Sequence, residues 1–251
     1  MNQAREVYTP GYTPNALDFM SRRTAESHAN FFLPHLNAGM RLLDCGCGPG
    51  GITIGLAQRV RPGEVTGIDL GGAQLDRARE RASGANIHVT FRDASVYALP
   101  FRDSEFHAVF SHALFEHLAD PVKALEEIRR VLKPGGCVGL RSPDWGGFVL
   151  HPWSEKLAKA LTDYQALQRT NGGDVFAGRK LAAWLRQAQF ARVQPSAEYE
   201  IYPRAEFIAD YLAQQLDSNG RDESAAHLRN WAKEPDAMFA QAWFEAIGYK
   251  D

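Results

Sequence analysis

The feature that most constrains this 251-residue sequence is a glycine-rich turn within RLLDCGCGPGG at residues 41–51. A short apolar run leads into Asp44 and then into Gly46, Gly48 and Gly50. Because glycine has no Cβ, it adopts positive φ angles readily and lets the backbone lie close to a ligand. The segment therefore predicts a strand followed by a tight turn whose backbone amides contact a bound nucleoside.

Two kinds of nucleoside fit this turn. Gly46, Gly48 and Gly51 satisfy G-x-G-x-x-G, which is typical of folds that bind a dinucleotide pyrophosphate at a helix N-terminus. Asp44 favours a different ligand, because a carboxylate repels a pyrophosphate and attracts an ammonium or sulfonium group. S-adenosylmethionine carries both cations. A nicotinamide dinucleotide and S-adenosylmethionine are therefore the alternatives, and Asp44 favours the second.

Two more acidic residues end predicted strands. Asp69 closes the run VTGID about twenty residues after the glycine turn, where a carboxylate can accept from ribose hydroxyls. Asp93 ends the next β-rich run, where it can accept from the exocyclic amine of adenine. Parallel strands end at one edge of a sheet, so we expect Asp44, Asp69 and Asp93 to converge there. A dinucleotide enzyme gives Asp69 a role but leaves the other two without one.

Four segments resemble the successive motifs of class I S-adenosylmethionine-dependent methyltransferases. They are LLDCGCGPGG, VTGIDL, FRDASVYALPFRDSEFHAVFSHALFEHL and VLKPGGCVGLRSP. They span residues from about 40 to 143 and resemble the branch that includes the ubiquinone and menaquinone biosynthesis methyltransferases. The resemblance implies an α/β fold with a doubly wound, mostly parallel seven-stranded sheet, and S-adenosylmethionine as the cofactor. It does not identify the substrate.

The resemblance also indicates further residues that contact the cofactor. Tyr12 belongs to an N-terminal Tyr-Thr-x-Gly-Tyr pattern shared with small-molecule methyltransferases, and we expect this arm to close over the cofactor and exclude water. The other candidates lie in or just after the motif strands: Gly46, Cys47, Gly48, Leu70, Gln74, Ala94, Ser95 and Ser111.

The substrate is expected beside the fourth and fifth strands, because ligands of open α/β sheets gather at the carboxyl ends of the strands. Methyl transfer from a sulfonium is an in-line displacement that depends mainly on positioning, so a base is secondary. His112 and His117 are the predicted catalytic residues, since imidazole titrates near neutral pH, and a purely structural role is the alternative for each. Predicted substrate contacts are Tyr8, Phe115, Arg141, Asp144, Trp145 and Tyr202.

Composition indicates a small-molecule enzyme. The 28 Lys and Arg residues nearly balance 30 Asp and Glu residues, and no basic stripe predicts a nucleic-acid partner. The N-terminus lacks the apolar core of a signal peptide and no apolar run is long enough to cross a membrane, so we expect a cytoplasmic protein without a membrane partner, as a monomer or homodimer. The 3 cysteines predict reduced thiols and no metal site.

Strands and helices alternate through the first two thirds of the chain, as in a doubly wound sheet. Strands are predicted at 40–44, 65–70, 87–92, 107–111 and 137–141, and helices at 25–35, 51–60, 74–82 and 121–131. The last third is predicted to be mostly helical, at 153–169, 179–189, 204–216 and 222–231. Strands at 192–201 and 242–249 are expected to form an antiparallel pair, with one more terminal helix as the alternative.

These elements define four parts of the chain. Residues 1–38 form an N-terminal helical arm, 39–202 the cofactor-binding core, 203–241 a helical cover and 242–251 the last strand of the core sheet. The predicted function is transfer of a methyl group to oxygen, nitrogen or carbon of a small, partly apolar or aromatic molecule. The alternatives are a nicotinamide-dependent oxidoreductase and a non-catalytic, cofactor-binding partner subunit.

Overall fold

The computed structural model describes residues 8–9, 11, 16, 20–202 and 204–251. Their strands are β1 (Leu42–Cys45), β2 (Val65–Asp69), β3 (Thr90–Asp93), β4 (Phe106–His112), β5 (Leu132–His151), β6 (Ala191–Ile201) and β7 (Met238–Tyr249). They form a seven-stranded sheet in the order β3-β2-β1-β4-β5-β7-β6.

The direction of the strands confirms a doubly wound, mostly parallel sheet. The first five strands in the chain pair in parallel. β7 lies antiparallel between β5 and β6, so the predicted antiparallel pair at the end of the chain is confirmed and the alternative of a terminal helix is wrong. Parallel strands need crossover connections, and helices supply them here.

The helices are α1 (Ala25–His28), α2 (Gly51–Val60), α3 (Gly72–Gly84), α4 (Pro121–Val131), α5 (Glu155–Thr170), α6 (Ala177–Gln187), α7 (Ala205–Asp217) and α8 (Asp222–Trp231). Local sequence explains where α4 begins. Asp120 caps it by accepting from the Lys123 amide at 3.0 Å, and Pro121 occupies the first turn, where no intrahelical donor is needed. Within the described residues, no helix has both the length and the apolar character to cross a membrane.

The central strands of the sheet are buried on both faces, whereas the edge strands β3 and β6 are largely exposed. Leu42 packs with Phe32, Leu56 and Phe110 on one face, whereas Leu43 packs on the other face against residues of α4 and α6. Both leucines are fully buried. Alternate residues of a strand point to opposite faces, so a strand covered on both sides needs consecutive apolar residues, as the sequence shows.

A separate apolar cluster belongs to the C-terminal helices. α5, α7 and α8 pack against each other through residues that include Leu161, Tyr164, Leu212 and Trp231. Phe239 of β7 is part of the same cluster, so these helices cover the extended ends of β5 and β7.

Several predicted bounds require correction. The predicted helix 25–35 ends at His28, where Ala29 leaves helical φ and ψ, and a separate turn follows at Leu33–His35. Pro34 prevents a regular helix from continuing through this turn, because it lacks an amide donor. β5 continues past 141 to His151, because β7 pairs with it along that length. β7 itself begins at Met238, so the final strand takes residues that the sequence assigned to the cover.

Gly139 of β5 lies where the sheet leaves no space for a side chain. A Cβ at this position would lie 2.4 Å from Cδ2 of Phe32, whose ring is fully buried. We expect Gly139→Ala to lower the free energy of unfolding by about 1–3 kcal/mol through overpacking. Urea unfolding measures the change. The matched control is Gly84→Ala, because a Cβ on Gly84 meets nothing within 4 Å and alanine favours helix; equal losses in both variants would contradict the packing account.

Candidate active site

The glycine turn between β1 and α2 has the conformation that the sequence predicts. The φ angles of Gly46, Gly48 and Gly50 are +75°, +51° and +77°. Gly51 serves a different purpose, since a Cβ there would lie 2.4 Å from the backbone oxygen of Arg23. Glycine therefore allows the turn itself and also the close approach of the N-terminal segment.

The amides of the turn donate to acceptors within the protein. The Gly46 amide donates to the Ile68 carbonyl at 2.8 Å, and the Gly48 amide donates to Asp69 Oδ2 at 2.9 Å. The Gly50 amide donates within the turn at 3.0 Å. These bonds hold the turn in shape, and contact between its backbone and a bound nucleoside stays a prediction.

A cavity of about 610 Å³ lies at the carboxyl ends of β1, β2 and β4. The structure brings most of the predicted cofactor residues together on its wall: Asp44, Gly46, Cys47, Gly48, Asp69, Leu70, Gln74, Ala94 and Ser95. The predicted catalytic residues His112 and His117 line it too, as does Tyr8.

Two predicted cofactor residues do not line this cavity, and a third is not among the described residues. Asp93 is the register partner of Asp69 but is exposed, beside rather than on the cavity wall. Ser111 is buried and its hydroxyl donates to the Cys45 carbonyl at 2.9 Å, so it joins β4 to β1 and does not line the cavity. Tyr12 falls outside the described residues.

Asp69 is held in a fixed orientation by two backbone donors. Its Oδ2 and Oδ1 accept from the amides of Gly48 and Gly71, each at 2.9 Å. Burial raises its pKa, and the amide bonds oppose that rise. Each carboxylate oxygen has a second lone pair, so Asp69 can still accept from a pair of ligand hydroxyls.

Asp44 is the more deeply buried of the two acids, with 2% of its surface exposed. The Thr53 hydroxyl donates to its Oδ2 at 2.6 Å. Burial raises the pKa of Asp44 to about 7, and the negative charge of Asp69 adds to the rise. A carboxylate in this state is stabilised by a ligand cation, which neutralises the buried charge.

A second chamber, of about 50 Å³, adjoins the large cavity. The two share Tyr8, Met20, Arg23, Ala113 and His117 as lining residues. The rest of the small chamber is rich in aromatic and polar side chains from β5, α5, α7, β7, the turn after β4 and the residue after β6: Glu116, Pro143, Trp145, Tyr164, Gln168, Tyr202, Ile208, Tyr211, Gln241 and Trp243. A ligand that fills the large cavity therefore meets a second, mainly aromatic compartment across a shared wall.

The two predicted catalytic histidines are neutral in this environment. Burial lowers the pKa of His117 to about 3, and Arg23 contributes to the shift. Burial also holds the pKa of His112 well below its usual range, and Arg23 Nη1 lies 3.5 Å from its Nδ1. Such imidazoles are weak bases, so their placement favours hydrogen bonding and ring contacts over proton abstraction; the ring of His117 meets that of Tyr8 edge to face at 4.8 Å.

The predicted substrate contacts divide into two groups. Tyr8, Trp145 and Tyr202 line the small chamber. Phe115 does not, because it is buried in the core cluster on one face of the sheet.

Arg141 and Asp144 form structural ion pairs and line neither cavity, and their contact with a substrate stays a prediction. Arg141 is 2% exposed and its Nη1 lies 3.2 Å from Glu245 Oε1; the same group also pairs with Glu198. Asp144 accepts from Nε and Nη2 of Arg179, both at 2.6 Å. These pairs fasten β5 to β7, β6 and α6.

Sequence reasoning missed several side chains of the small chamber. Glu116 lies between two residues that were selected, yet its position in a short turn resembles that of a solvated residue. Gln168 and Gln241 carry no local signal, because their burial depends on contacts far away along the chain. Of these three residues, only Glu116 had a local signal in the sequence, because it is an acidic residue that follows a buried strand.

The site and the fold agree with comparisons to known proteins. A family model described as a methyltransferase domain matches residues 43–140. An uncharacterized methyltransferase of Schizosaccharomyces pombe is 36% identical over 175 residues, which cover 67% of this chain and 63% of that protein. The demethylmenaquinone methyltransferase of Lactiplantibacillus plantarum is 32% identical over 176 residues, covering 63% of this chain and 73% of the relative.

A solved structure has the same fold at lower sequence identity. It is the phosphoethanolamine N-methyltransferase 2 of Haemonchus contortus in complex with S-adenosylhomocysteine, with a TM-score of 0.59 and 21% identity, covering 85% of this chain and 49% of that chain. The chain belongs to the class I S-adenosylmethionine-dependent methyltransferases. S-adenosylmethionine is accordingly its cofactor, and the nicotinamide reading of the glycine turn is not supported.

Proposed function

We propose that the protein transfers the methyl group of S-adenosylmethionine to oxygen, nitrogen or carbon of a small, partly apolar or aromatic molecule. The observation that carries this proposal is the shared wall between the large cavity and the aromatic chamber. In-line displacement needs the acceptor atom, the methyl carbon and the sulfur in one line. Two compartments that meet at one wall supply this arrangement, with donor and acceptor on opposite sides.

In this proposal, Asp44, Asp69 and Asp93 contact different parts of S-adenosylmethionine. Asp44 faces the ammonium group, and Asp69 accepts from the ribose hydroxyls. Ala94 and Ser95 lie along the adenine, whose amine reaches Asp93 at the cavity rim. The remaining cofactor contacts are those predicted from the motifs: Tyr12, Gly46, Cys47, Gly48, Leu70 and Gln74.

The acceptor lies at the shared wall and extends its polar groups into the small chamber, whose rings exclude water. Trp145, Tyr202 and Tyr8 offer faces and edges on which a planar molecule can stack. During transfer the S–CH₃ bond breaks, its electron pair returns to sulfur, and the acceptor atom forms the new bond to carbon. Positioning of this kind supplies roughly 7–11 kcal/mol of barrier lowering. His117 positions groups at the shared wall, and His112 does so from the side of the large cavity.

The division into an arm at 1–38, a core at 39–202, a helical cover from 203 to the start of β7 and β7 as the terminal strand belongs to the proposal. Ile208 and Tyr211 of α7 line the acceptor chamber, which supports a cover that contributes to substrate selection. A cytoplasmic location, a monomer or homodimer, and independence from nucleic acid stay predictions.

Methyl transfer from radiolabelled S-adenosylmethionine to a metabolite extract tests the proposal. We expect label to appear in one or a few small molecules. Calorimetry with S-adenosylhomocysteine runs in parallel and establishes that the donor site is intact. Tight binding of S-adenosylhomocysteine without any labelled product would contradict the enzymatic proposal and favour the non-catalytic partner subunit.

The affinity for S-adenosylhomocysteine is expected to depend on pH through Asp44. The pKa of Asp44 is about 7 in the free protein, and the ligand ammonium binds the ionised form, so a proton must leave when the ligand binds below pH 7. The dissociation constant should therefore rise about tenfold for each pH unit below 7 and stay level above it. Calorimetry between about pH 5.5 and 8.5 measures this, and Asp44→Asn should remove the slope; a level profile in the wild type would contradict the assignment of Asp44.

A further inference from the structure

The small chamber presents hydrogen-bond acceptors among its aromatic rings. Glu116, Gln168 and Gln241 line it, and their exposed fractions are 3%, 2% and 2%. Buried polar atoms are nearly always paired, so those that protein groups leave unpaired indicate the polar groups of a ligand. Each of the three side chains can be examined in this way.

Gln241 has a fixed amide orientation. Its Nε2 donates to the carbonyls of Asp144 at 2.8 Å and Ala242 at 3.1 Å, and only the NH₂ end of the amide can make these two bonds. Its Oε1 is buried, and no group in the described part of the chain donates to it. Gln241 therefore offers an acceptor to the chamber. Gln168 Oε1 is likewise buried and receives no bond from the described residues.

Glu116 offers a second acceptor, which carries charge. Ser142 Oγ donates to its Oε2 at 2.9 Å. Its Oε1 lies 3.8 Å from Nε2 of His117, which is too long for a hydrogen bond. Burial raises the pKa of Glu116 to about 7, and a hydrogen bond from its own backbone amide, the Ser142 hydroxyl and Arg23 oppose the rise. Near neutral pH this carboxylate can therefore both accept a hydrogen bond and take up a proton.

The positive charges around the small chamber favour one kind of hydrogen-bond donor on the molecule that accepts the methyl group. Arg23 lines both compartments, and the sulfonium of the bound cofactor adds a second positive charge at the shared wall. An acceptor molecule that enters as an ammonium ion is repelled by both. A neutral hydroxyl is not repelled by these charges. The aromatic side chains around the chamber also favour a hydroxyl that is attached to a planar ring, because they can stack on it.

We propose that the molecule which receives the methyl group carries at least two hydrogen-bond donors, a hydroxyl that faces Glu116 and a second donor that faces Gln241, and that Glu116 accepts the hydroxyl proton during transfer. This inference rests on the proposed function. The O–H bond breaks as the O–CH₃ bond forms, the S–CH₃ electron pair returns to sulfur, and the proton stays on Glu116 until product release returns it to water.

The requirement for two hydrogen-bond donors is tested by measuring how probe molecules bind to the complex of the protein with S-adenosylhomocysteine. The probes are catechol, resorcinol and hydroquinone, whose hydroxyls differ in spacing, and their dimethyl ethers, which keep the ring and lose both donors. We expect at least one diol to bind, its diether to bind at least tenfold more weakly, and both Glu116→Gln and Gln241→Leu to weaken the diol at least fivefold. The matched control is Glu126→Gln on the exposed side of α4.

Equal binding of a diol and its diether would overturn the inference, as would the absence of diol binding at about 10 mM while S-adenosylhomocysteine binds. Loss of S-adenosylhomocysteine binding in the wild type would instead contradict the proposed function. For the proton, methyl transfer to the bound diol should rise with pH up to about 7 and then level off. Glu116→Gln should lower the rate 10²–10⁴-fold and remove this profile, and an unchanged rate would overturn the role of Glu116.

Discussion

Asp69→Ala is expected to weaken the binding of S-adenosylhomocysteine at least 100-fold. The side chain accepts from the Gly48 and Gly71 amides and, in our assignment, also from the ribose hydroxyls. A hydrogen bond to a charged group contributes about 1.5–3 kcal/mol, so losing two to the ribose alone exceeds a factor of 100. The Gly48 amide also loses its acceptor, which loosens the turn that forms the cavity wall. Calorimetry measures the change.

The matched control is Asp76→Ala. Asp76 lies on the exposed side of α3, where it pairs with Arg79 at 2.7 Å, and its loss should leave the dissociation constant within about twofold. The dissociation constant of Asp69→Asn should lie between those of Asp69→Ala and Asp76→Ala, since the amide keeps one acceptor oxygen. An Asp69→Ala protein that binds within threefold of the wild type would show that the ligand lies elsewhere.

Arg141→Met is expected to lower the free energy of unfolding by about 3–5 kcal/mol. Arg141 pairs with Glu245 and Glu198, and Glu200 lies 3.9 Å from its Nη2. Glu245 is 6% exposed, so removing the arginine leaves a buried carboxylate without its cation. Urea unfolding at pH 8 measures the loss, and Arg59→Met on the exposed face of α2 is the control.

The pH dependence of the stability of Arg141→Met shows whether the loss comes from the unpaired carboxylate of Glu245 or from lost packing. Burial already raises the pKa of Glu245, while Arg141 lowers it, so removing the arginine should raise it further. An acid whose folded-state pKa lies above its unfolded value binds more protons when folded, so stability rises as pH falls. The loss of unfolding free energy in Arg141→Met, relative to the wild type, should therefore become smaller toward pH 5. At pH 8, adding Glu245→Gln should recover part of the lost stability. A deficit below 1 kcal/mol, or one independent of pH, would contradict the account.

The parts of the fold that could be predicted from the sequence depend on local pattern. β1, β2 and the turn at Gly46–Gly50 follow from apolar runs and glycines, and α4 follows from Asp120 and Pro121. The lengths of β5 and β7 could not be predicted, because each strand continues for as long as the other pairs with it. Pairing between residues 132–151 and 238–249 leaves no periodic signal in either segment.

The site divides in the same way. Asp44 and Asp69 were predictable because they end strands that lie at one edge of a parallel sheet. The roles of Arg141 and Asp144 were not, because Glu245 and Arg179 are distant in sequence and take up their charges. From the sequence, Glu116 has the pattern of a solvated helix residue more than that of a base, and the structure shows that Ser142 and the rings around the small chamber remove it from water.

A crystal structure of the complex with S-adenosylhomocysteine tests the central claim most directly. We expect the adenosine in the large cavity, its ribose hydroxyls on Asp69, and its sulfur at the wall formed by Ala113 and His117, facing the chamber that contains Glu116. A sulfur atom directed away from that chamber would contradict the assignment of donor and acceptor compartments. A ligand bound anywhere other than beyond the glycine turn would contradict the whole account.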